Sequence, residues 1–318
     1  MRKDTDMGLK VFAGSSHKAL AIEICEHLDI SLGKSELIKF SNENLFVKIL
    51  ENVREEDVFV VQTSVSPVNE GIVELLIMID ALKHASAKRI TAVIPYFPYV
   101  RSDKKDQPRI SITARLMADL LETAGAHRVI TMDLHSDQIQ GFFRIPLDQL
   151  RATPIICGYL KEKKLDDYVM VAADAGEIRD VRRYANRLGL PIAIIDKRRS
   201  GNDEKPKAVN IIGDVEGMNA LLVDDEIASG KTIIEAVSFL KSKGKVNKVM
   251  AACTHPVMSG KATELLTNSP LEEIVVTNTI PIPQEKITSK IKVLSVAKLF
   301  ANAIQNVHNG ESVSSLFE

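Results

Sequence analysis

In the segment Ala220-Leu-Leu-Val-Asp-Asp-Glu-Ile-Ala-Ser-Gly-Lys-Thr-Ile233 an apolar run leads straight into paired carboxylates and then into a short loop of small and hydroxyl residues. Backbone N–H groups at the start of a helix beginning near Ile233, with the Ser229 and Thr232 hydroxyls, suit a phosphate, while Asp224 and Asp225 suit sugar hydroxyls. A capped helix after an acidic turn is the blander reading, but it leaves two acids beside a hydroxyl, a glycine and a threonine unexplained. Gly230-Lys-Thr232 imitates the end of a nucleotide P-loop, whose first glycine would fall at Asp225, and no G-x-G-x-x-G occurs, so neither fingerprint applies. A second candidate is His135, between Asp133 and Asp137 just after another apolar run. A lone histidine is more often structural, yet this is where α/β folds build sites. The third is Asp174 in Val171-Ala-Ala-Asp-Ala-Gly-Glu177, an oxygen donor suited to a hard cation.

Each of these positions follows a short β-branched run, so the elements that carry them form one pattern. Runs at residues 9–13, 58–63, 89–94 and 128–133, then 168–172, 192–195, 220–223, 248–252 and 273–276, alternate with amphipathic segments. Among the latter, residues 70–83 and 111–124 have apolar side chains three and four apart, as helices with one buried face do. The strands lack strict apolar–polar alternation, which predicts parallel sheets covered on both faces and an α/β fold. Residues 98–109, with Arg101, Lys104, Lys105 and Arg109, join strand to helix over more than the usual roughly 2 to 6 residues. A solvated loop and a mobile active-site flap both fit that stretch. A second polar insertion, residues 198–207, carries Lys197, Arg198 and Arg199 at its base, and the recurring grammar suggests a duplication.

The length, 318 residues, is about twice that of a common single domain, which predicts two. A net charge of −1 with 45% hydrophobic and 26% charged residues excludes disorder and general binding to a nucleic-acid backbone. The longest apolar stretch, residues 71–82, is broken by Glu74 and Asp80 and falls well short of the roughly 20 residues that cross a bilayer. Residues 1–10 mix both charge signs without the apolar centre of a secretion signal, so a cytoplasmic protein with no membrane partner is expected. Cys25, Cys157 and Cys253 are too few and too scattered for a disulfide framework and read as buried thiols.

The Asp224 to Thr232 segment resembles the phosphoribosyl-binding loop of type I phosphoribosyltransferases. Over nearly its whole length the chain is similar to the ribose-phosphate diphosphokinases. The similarity is carried by Phe12-Ala-Gly-Ser-Ser-His17, Met78-Ile-Asp-Ala-Leu-Lys83, Ala87-Lys-Arg-Ile-Thr-Ala-Val-Ile-Pro-Tyr-Phe97 and Asp133-Leu-His-Ser-Asp-Gln-Ile-Gln-Gly-Phe-Phe143. It continues in Asp196-Lys-Arg-Arg199, Asn210-Ile-Ile-Gly-Asp214, Thr254-His-Pro-Val257, Val275-Val-Thr-Asn-Thr-Ile280 and Gly310-Glu-Ser-Val-Ser314.

The resemblance implies two tandem phosphoribosyltransferase-like domains, each a mainly parallel sheet flanked by helices, at residues 7–150 and 151–304, with the tail 305–318 returning to the first. It implies a homo-oligomer, a hexamer built of dimers. It also implies transfer of the diphosphoryl group of ATP to the anomeric hydroxyl of ribose 5-phosphate, releasing AMP. Attack of a neutral hydroxyl on a polyanion requires Mg²⁺ and several cations around the phosphates. By the same resemblance His135 and Asp174 hold the ATP-bound Mg²⁺, and Lys197 and Arg199, with His135, act at the transferring group. Phe40, Asn42, Asn44, Arg101, Ser102, Asp103 and His135 bind ATP; Lys104, Lys105 and Arg109 sit on a closing flap. Asp224, Asp225, Ala228, Ser229, Gly230, Lys231 and Thr232 take the sugar phosphate. Arg54, Ser312 and Ser314 fall at positions of the family's phosphate and ADP regulatory site, where Asn52 replaces the usual serine.

Four departures gather at the substrate positions: Phe40-Ser-Asn-Glu-Asn44 for the usual Phe-Ser-Asp-Gly-Glu, Arg101-Ser-Asp103 for Arg-Gln-Asp, Ala173-Asp-Ala-Gly-Glu177 for Pro-Asp-Ala-Gly-Gly, and Ala228-Ser-Gly-Lys-Thr232 for Asp-Thr-Ala-Gly-Thr. The first loses an acid at the adenine pocket, the third adds a carboxylate near the phosphates and the fourth alters the sugar-phosphate loop. His135, Asp174, Lys197 and Arg199 are all present, so catalysis is expected, and the acceptor is the quantity in question. Phosphoribosyl pyrophosphate synthesis is the main reading. The alternatives are the same transfer to a larger acceptor bearing ribose 5-phosphate, such as ADP-ribose, and a non-catalytic regulatory relative.

Overall fold

The computed structural model describes residues 8–198 and 207–317, so Arg199 and most of the second basic insertion lie outside the described residues. The chain divides into two units, one of Met1–Arg151 with Thr279–Pro281 and Ser295–Glu318, the other of Ala152–Asn278 with Ile282–Leu294.

The first unit runs β1 (Leu9–Ala13), α1 (Lys18–His27), a hairpin of β2 (Ser35–Lys39) and β3 (Leu45–Ile49), β4 (Asp57–Val61), α2 (Val68–His84), β5 (Arg89–Ile94), α3 (Thr113–Ala124), β6 (Arg128–Met132) and β7 (Leu147–Leu150). Strands β1, β4, β5, β6 and β7 lie side by side in that order, all parallel. Every residue of β4 is buried, the signature of a strand covered on both faces, as its unbroken apolar run foretold. Helix α3 buries Ala114, Met117, Ala118 and Leu121, the stripe of an amphipathic helix, and stops where Gly125 takes φ 119°. The hairpin has no counterpart in the sequence reading: β3 packs on α2, while Leu37, Ile38, Phe40 and Phe46 stay exposed.

The second unit runs α4 (Thr153–Lys161), β8 (Tyr168–Ala172), α5 (Ile178–Leu188), β9 (Ile192–Arg198), β10 (Lys207–Ile212), β11 (Asn219–Glu226), α6 (Lys231–Ser242), β12 (Val249–His255), α7 (Ala262–Thr267), β13 (Glu273–Thr277) and β14 (Ile291–Leu294). Its sheet order is β10-β9-β8-β11-β12-β13-β14, with only β10 antiparallel to its neighbour.

Helix α8 (Ala297–Asn309) groups with the first unit, which moves the boundary from residue 304 to Ser295. The physical reason is a buried ion network. Asp57 at the start of β4 is fully buried, and Arg89 at the start of β5 donates from Nε to its Oδ1 at 2.7 Å. His308 Nδ1 lies 2.9 Å from Asp57 Oδ2, and Arg89 Nη2 donates to the Val307 carbonyl at 3.0 Å. A buried carboxylate lacking these partners would cost several kcal/mol, so the end of α8 completes the first unit.

Among the described residues no helix is long and apolar enough to cross a membrane. All three cysteines are buried, and burial pushes the Cys25 and Cys157 thiols up to about 11.

Candidate active site

The second sheet contains a reversal. β8 leads through α5 to β9 on one side, whereas its other neighbour, β11, leads through α6 to β12 farther out. Open α/β sheets form ligand crevices at the carboxyl ends of strands at such a reversal. The register brings together there the ends of β9, β8 and β11, which carry Lys197, then Asp174 and Glu177, then Asp224 and Asp225.

Local bonding explains how Asp174 is presented. Its Oδ1 accepts the Gly176 N–H at 2.7 Å and caps a 3-10 turn, Ala175–Glu177, that runs into α5. Glu177 Oε2 reaches back to accept the Ala173 N–H at 2.9 Å, a variant of the reciprocal bonding of a capping box. A Cβ on Gly176 would come within 3.0 Å of Asp174 Oδ1, so the glycine leaves room for that carboxylate.

Charge at this edge is unbalanced. Burial, then the Asp174 carboxylate, push Glu177 up to about 7, with Lys197 acting in the opposite direction. Asp224 is held well above the usual carboxylate range by burial, then by its hydrogen bond with Asp225 and the charge of Glu177. Carboxylates gathered at neighbouring strand ends, two of them pushed up by burial and like charge, are characteristic of functional sites. Among the described residues no group of three or more His, Cys, Asp or Glu forms a ready metal cage. The oxygen donor at Asp174 suits Mg²⁺ all the same, because that ion commonly takes one or two carboxylates and completes its shell with substrate phosphates and water.

Beyond Asp225 the chain turns through Gly230, whose φ of 73° and Cβ position 3.2 Å from Leu266 Cγ both favour glycine. Helix α6 starts at Lys231, earlier than expected, so the N–H groups of Lys231 and Thr232 lie in its first turn. Ser229, Lys231 and Thr232 are exposed, Ala228 is half-buried, and Lys231 N–H meets Ser229 Oγ at a long 3.5 Å.

In the first unit, Arg101, Lys104, Lys105 and Arg109 are exposed on the irregular stretch between β5 and α3, with Ser102 and Asp103 half-buried. Ser102 anchors its base: its N–H donates to the Tyr99 carbonyl at 2.9 Å and its carbonyl accepts from Ala114 N–H at 3.2 Å. His135 is exposed beyond the end of β6, the strand next to β5. Its acidic neighbours are engaged by Arg151, which reaches Asp137 Oδ1 at 2.6 Å and Asp133 Oδ1 at 3.4 Å. Arg151 was not among the sequence candidates, and its spacing of 14 and 18 residues from its partners gives no local signal. Phe40, Asn42 and Asn44 occupy the exposed turn of the hairpin, closed by Phe40 N–H to Asn44 carbonyl at 2.9 Å and by Asn44 N–H to Asn42 Oδ1 at 3.2 Å. Arg54, Ser312 and Ser314 are exposed, and the tail is held by Asn306 Nδ2 donating to the Ser312 carbonyl at 2.8 Å.

Residues 9–125 match the family model described as the N-terminal domain of ribose phosphate pyrophosphokinase, and residues 199–318 match the phosphoribosyl synthetase-associated domain. The chain is 51% identical to a ribose-phosphate pyrophosphokinase of Caldanaerobacter subterraneus subsp. tengcongensis, over 97% of this chain and 98% of that one. It is 49% identical to the protein of that name from Oceanobacillus iheyensis, over 98% of each chain. Among solved structures it superposes on phosphoribosylpyrophosphate synthetase from Mycobacterium smegmatis with a TM-score of 0.90 at 43% identity, covering 95% of this chain and 99% of that one.

Proposed function

Since the chain belongs to the ribose-phosphate pyrophosphokinase family, we propose that it transfers the diphosphoryl group of ATP to the 1-hydroxyl of ribose 5-phosphate, giving phosphoribosyl pyrophosphate and AMP. The observation that carries this reading is the set of neighbouring strand ends holding Lys197, Asp174 and the Asp224–Asp225 pair, followed by the Ser229 to Thr232 loop at the start of α6.

The oxygen of the hydroxyl on C1 attacks the β-phosphorus of ATP; one O–P bond forms there and the bond from that phosphorus to the α,β-bridging oxygen breaks. AMP leaves with that oxygen, and the hydroxyl proton is lost to solvent. The N–H groups at the start of α6 and the Ser229 and Thr232 hydroxyls hold the 5-phosphate, while Asp224 and Asp225 accept from the sugar hydroxyls and orient the ring. Lys197 and Arg199 offset the charge that accumulates on the transferring group, and Arg101 holds ATP phosphates. His135 and Asp174 would hold Mg²⁺, and the ion would add to the neutralisation of the triphosphate. Lys104, Lys105 and Arg109 ride on a flap that excludes water, which would otherwise accept the diphosphoryl group. Phe40, Asn42 and Asn44 belong to the adenine end, and Arg54, Ser312 and Ser314 to a regulatory anion site. The same reading makes the enzyme a cytoplasmic homo-oligomer, a dimer-based hexamer, which light scattering checks.

The deciding assay measures AMP released from ATP and Mg²⁺ with either ribose 5-phosphate or ADP-ribose. Release with ribose 5-phosphate is expected. Release with ADP-ribose alone, or with neither, would sink the proposal.

A further inference from the structure

His135 sits in a turn whose two flanking acids share one partner. Strands β6 and β7 run parallel with Met132 opposite Leu150, so the residues that follow them, Asp133 and Arg151, emerge side by side. The Asp133 N–H donates to the Leu150 carbonyl at 3.0 Å, and the Asp133 backbone takes φ 34°, in the left-handed region that a non-glycine residue holds where its surroundings fix it. Leu134 and Ile139 are buried in the core beneath, and His135 is exposed between them. Arg151 closes the turn: Nη2 donates to Asp137 Oδ1 at 2.6 Å and Nη1 to Asp133 Oδ1 at 3.4 Å, with all three side chains largely buried. With its amide turned to pair donor with acceptor, the Gln149 side-chain oxygen accepts from Arg151 Nη1 at 2.8 Å and from the Leu134 N–H at 3.0 Å.

We infer that Arg151 is a positioning residue for His135. A planar guanidinium reaches both carboxylates at once and so spans the histidine, with a rigidity that a single ammonium on a flexible stem lacks. It offsets the repulsion between the two acids and fixes the backbone on either side of the imidazole. The acids are thereby occupied, and what the turn presents is the nitrogen donor between them. Partners that orient a metal-binding histidine without touching the ion set its affinity by about tenfold or more. The inference rests on the assignment, in the function proposed above, of His135 to the Mg²⁺ that accompanies ATP; Arg151 acts through the turn alone.

The test is calorimetric binding of ATP to the full chain with Mg²⁺ and no acceptor, which requires no turnover. Arg151→Gln should bind ATP about tenfold more weakly than wild type. In a His135→Ala background the same change should cost nothing further, because the imidazole it positions is gone. Replacing Mg²⁺ with a chelator should abolish the difference as well. Wild-type affinity in Arg151→Gln, an equal loss with and without His135, or a loss that persists in the chelator would each overturn the inference. Should Arg151→Gln not fold, Asp137→Asn removes the charge that Arg151 meets at 2.6 Å and should weaken ATP binding several-fold with the same dependence on His135; wild-type binding there overturns the inference too. The assignment of His135 fails separately. Wild-type affinity in His135→Ala alone would take the imidazole out of the nucleotide site and the inference with it, whereas a loss in His135→Ala without one in Arg151→Gln overturns the inference and leaves the assignment standing.

Discussion

The carboxyl edges of the two sheets handle polar groups in opposite ways. At the end of β1, Glu74 is almost wholly buried, yet its oxygens accept from Ser15 N–H at 2.7 Å, Ser15 Oγ at 2.5 Å and Gln62 Nε2 at 3.0 Å. Gln62 Oε1 accepts in turn from Ser16 N–H at 3.0 Å and Ser16 Oγ at 2.6 Å, and Ser16 Oγ accepts from Thr63 N–H at 2.9 Å. Each member is satisfied by another. At the ends of β8 and β11 the carboxylates face one another and are pushed up by burial and like charge. Strand order separates the two as well: the first sheet adds strands in one direction, whereas the second reverses between β8 and β11 and opens a crevice there. A closed polar network contributes to stability, whereas an edge of buried, mutually repelling carboxylates is the kind of place where functional groups gather.

That contrast is open to attack in four places. The largest effect is expected at Lys197→Ala, which should lower kcat by about a thousandfold with little change in the melting temperature, since it removes charge stabilisation at a half-buried position. Wild-type turnover in that variant would remove Lys197 from the reaction. Glu74→Ala should do the reverse: stranding three donors at a buried site costs about 3 kcal/mol in denaturant unfolding, while activity per folded molecule survives. Loss of activity at unchanged stability would mean that the first edge is functional too.

The third concerns pH. In the folded protein Glu177 holds its proton up to about 7, above the ordinary 4.5, so between those values the unfolded chain has released a proton that the folded chain retains. Stability contributed by this group therefore falls as pH rises through that window. Wild type should lose about 1 to 3 kcal/mol relative to Glu177→Gln between pH 5 and pH 8, read from paired denaturant titrations. A constant difference across that range would show that the carboxylate ionises as an ordinary surface acid. The smallest effect is expected at Gly176→Ala, whose methyl would crowd Asp174 Oδ1 from 3.0 Å and move that carboxylate by a few tenths of an ångström. A several-fold rise in the Mg²⁺ concentration for half-maximal rate is expected, with kcat nearly retained. No change would indicate that the Asp174 rotamer is not critical.

The alternation of apolar runs and amphipathic helices could be read directly from the residues, because strands buried on both faces carry unbroken apolar runs and helices such as α3 repeat every three to four residues. The hairpin at residues 35–49 escaped that reading, since its outer face is exposed and keeps Leu37, Phe40 and Phe46 in water. Strands β7, β10 and β14 escaped it too: they lie at sheet edges, where one side lacks a neighbour and the apolar pattern weakens.

The sequence by itself determined which chemistry the chain carries, since paired acids, a hydroxyl-rich loop after an apolar strand and clustered cations are local patterns that survive in one dimension. The tertiary structure decided what those groups do to one another. Glu74 and Ser15 are 59 residues apart, and Asp57 and His308 are 251 apart. Both pairs are fixed by sheet order and helix packing, which no local spacing encodes. The same is true of Glu177: its position three residues after Asp174 is visible in the chain, but its high proton affinity arises from burial, from the Asp174 charge and from the strand order that adds the charge of Asp225, against the opposing effect of Lys197.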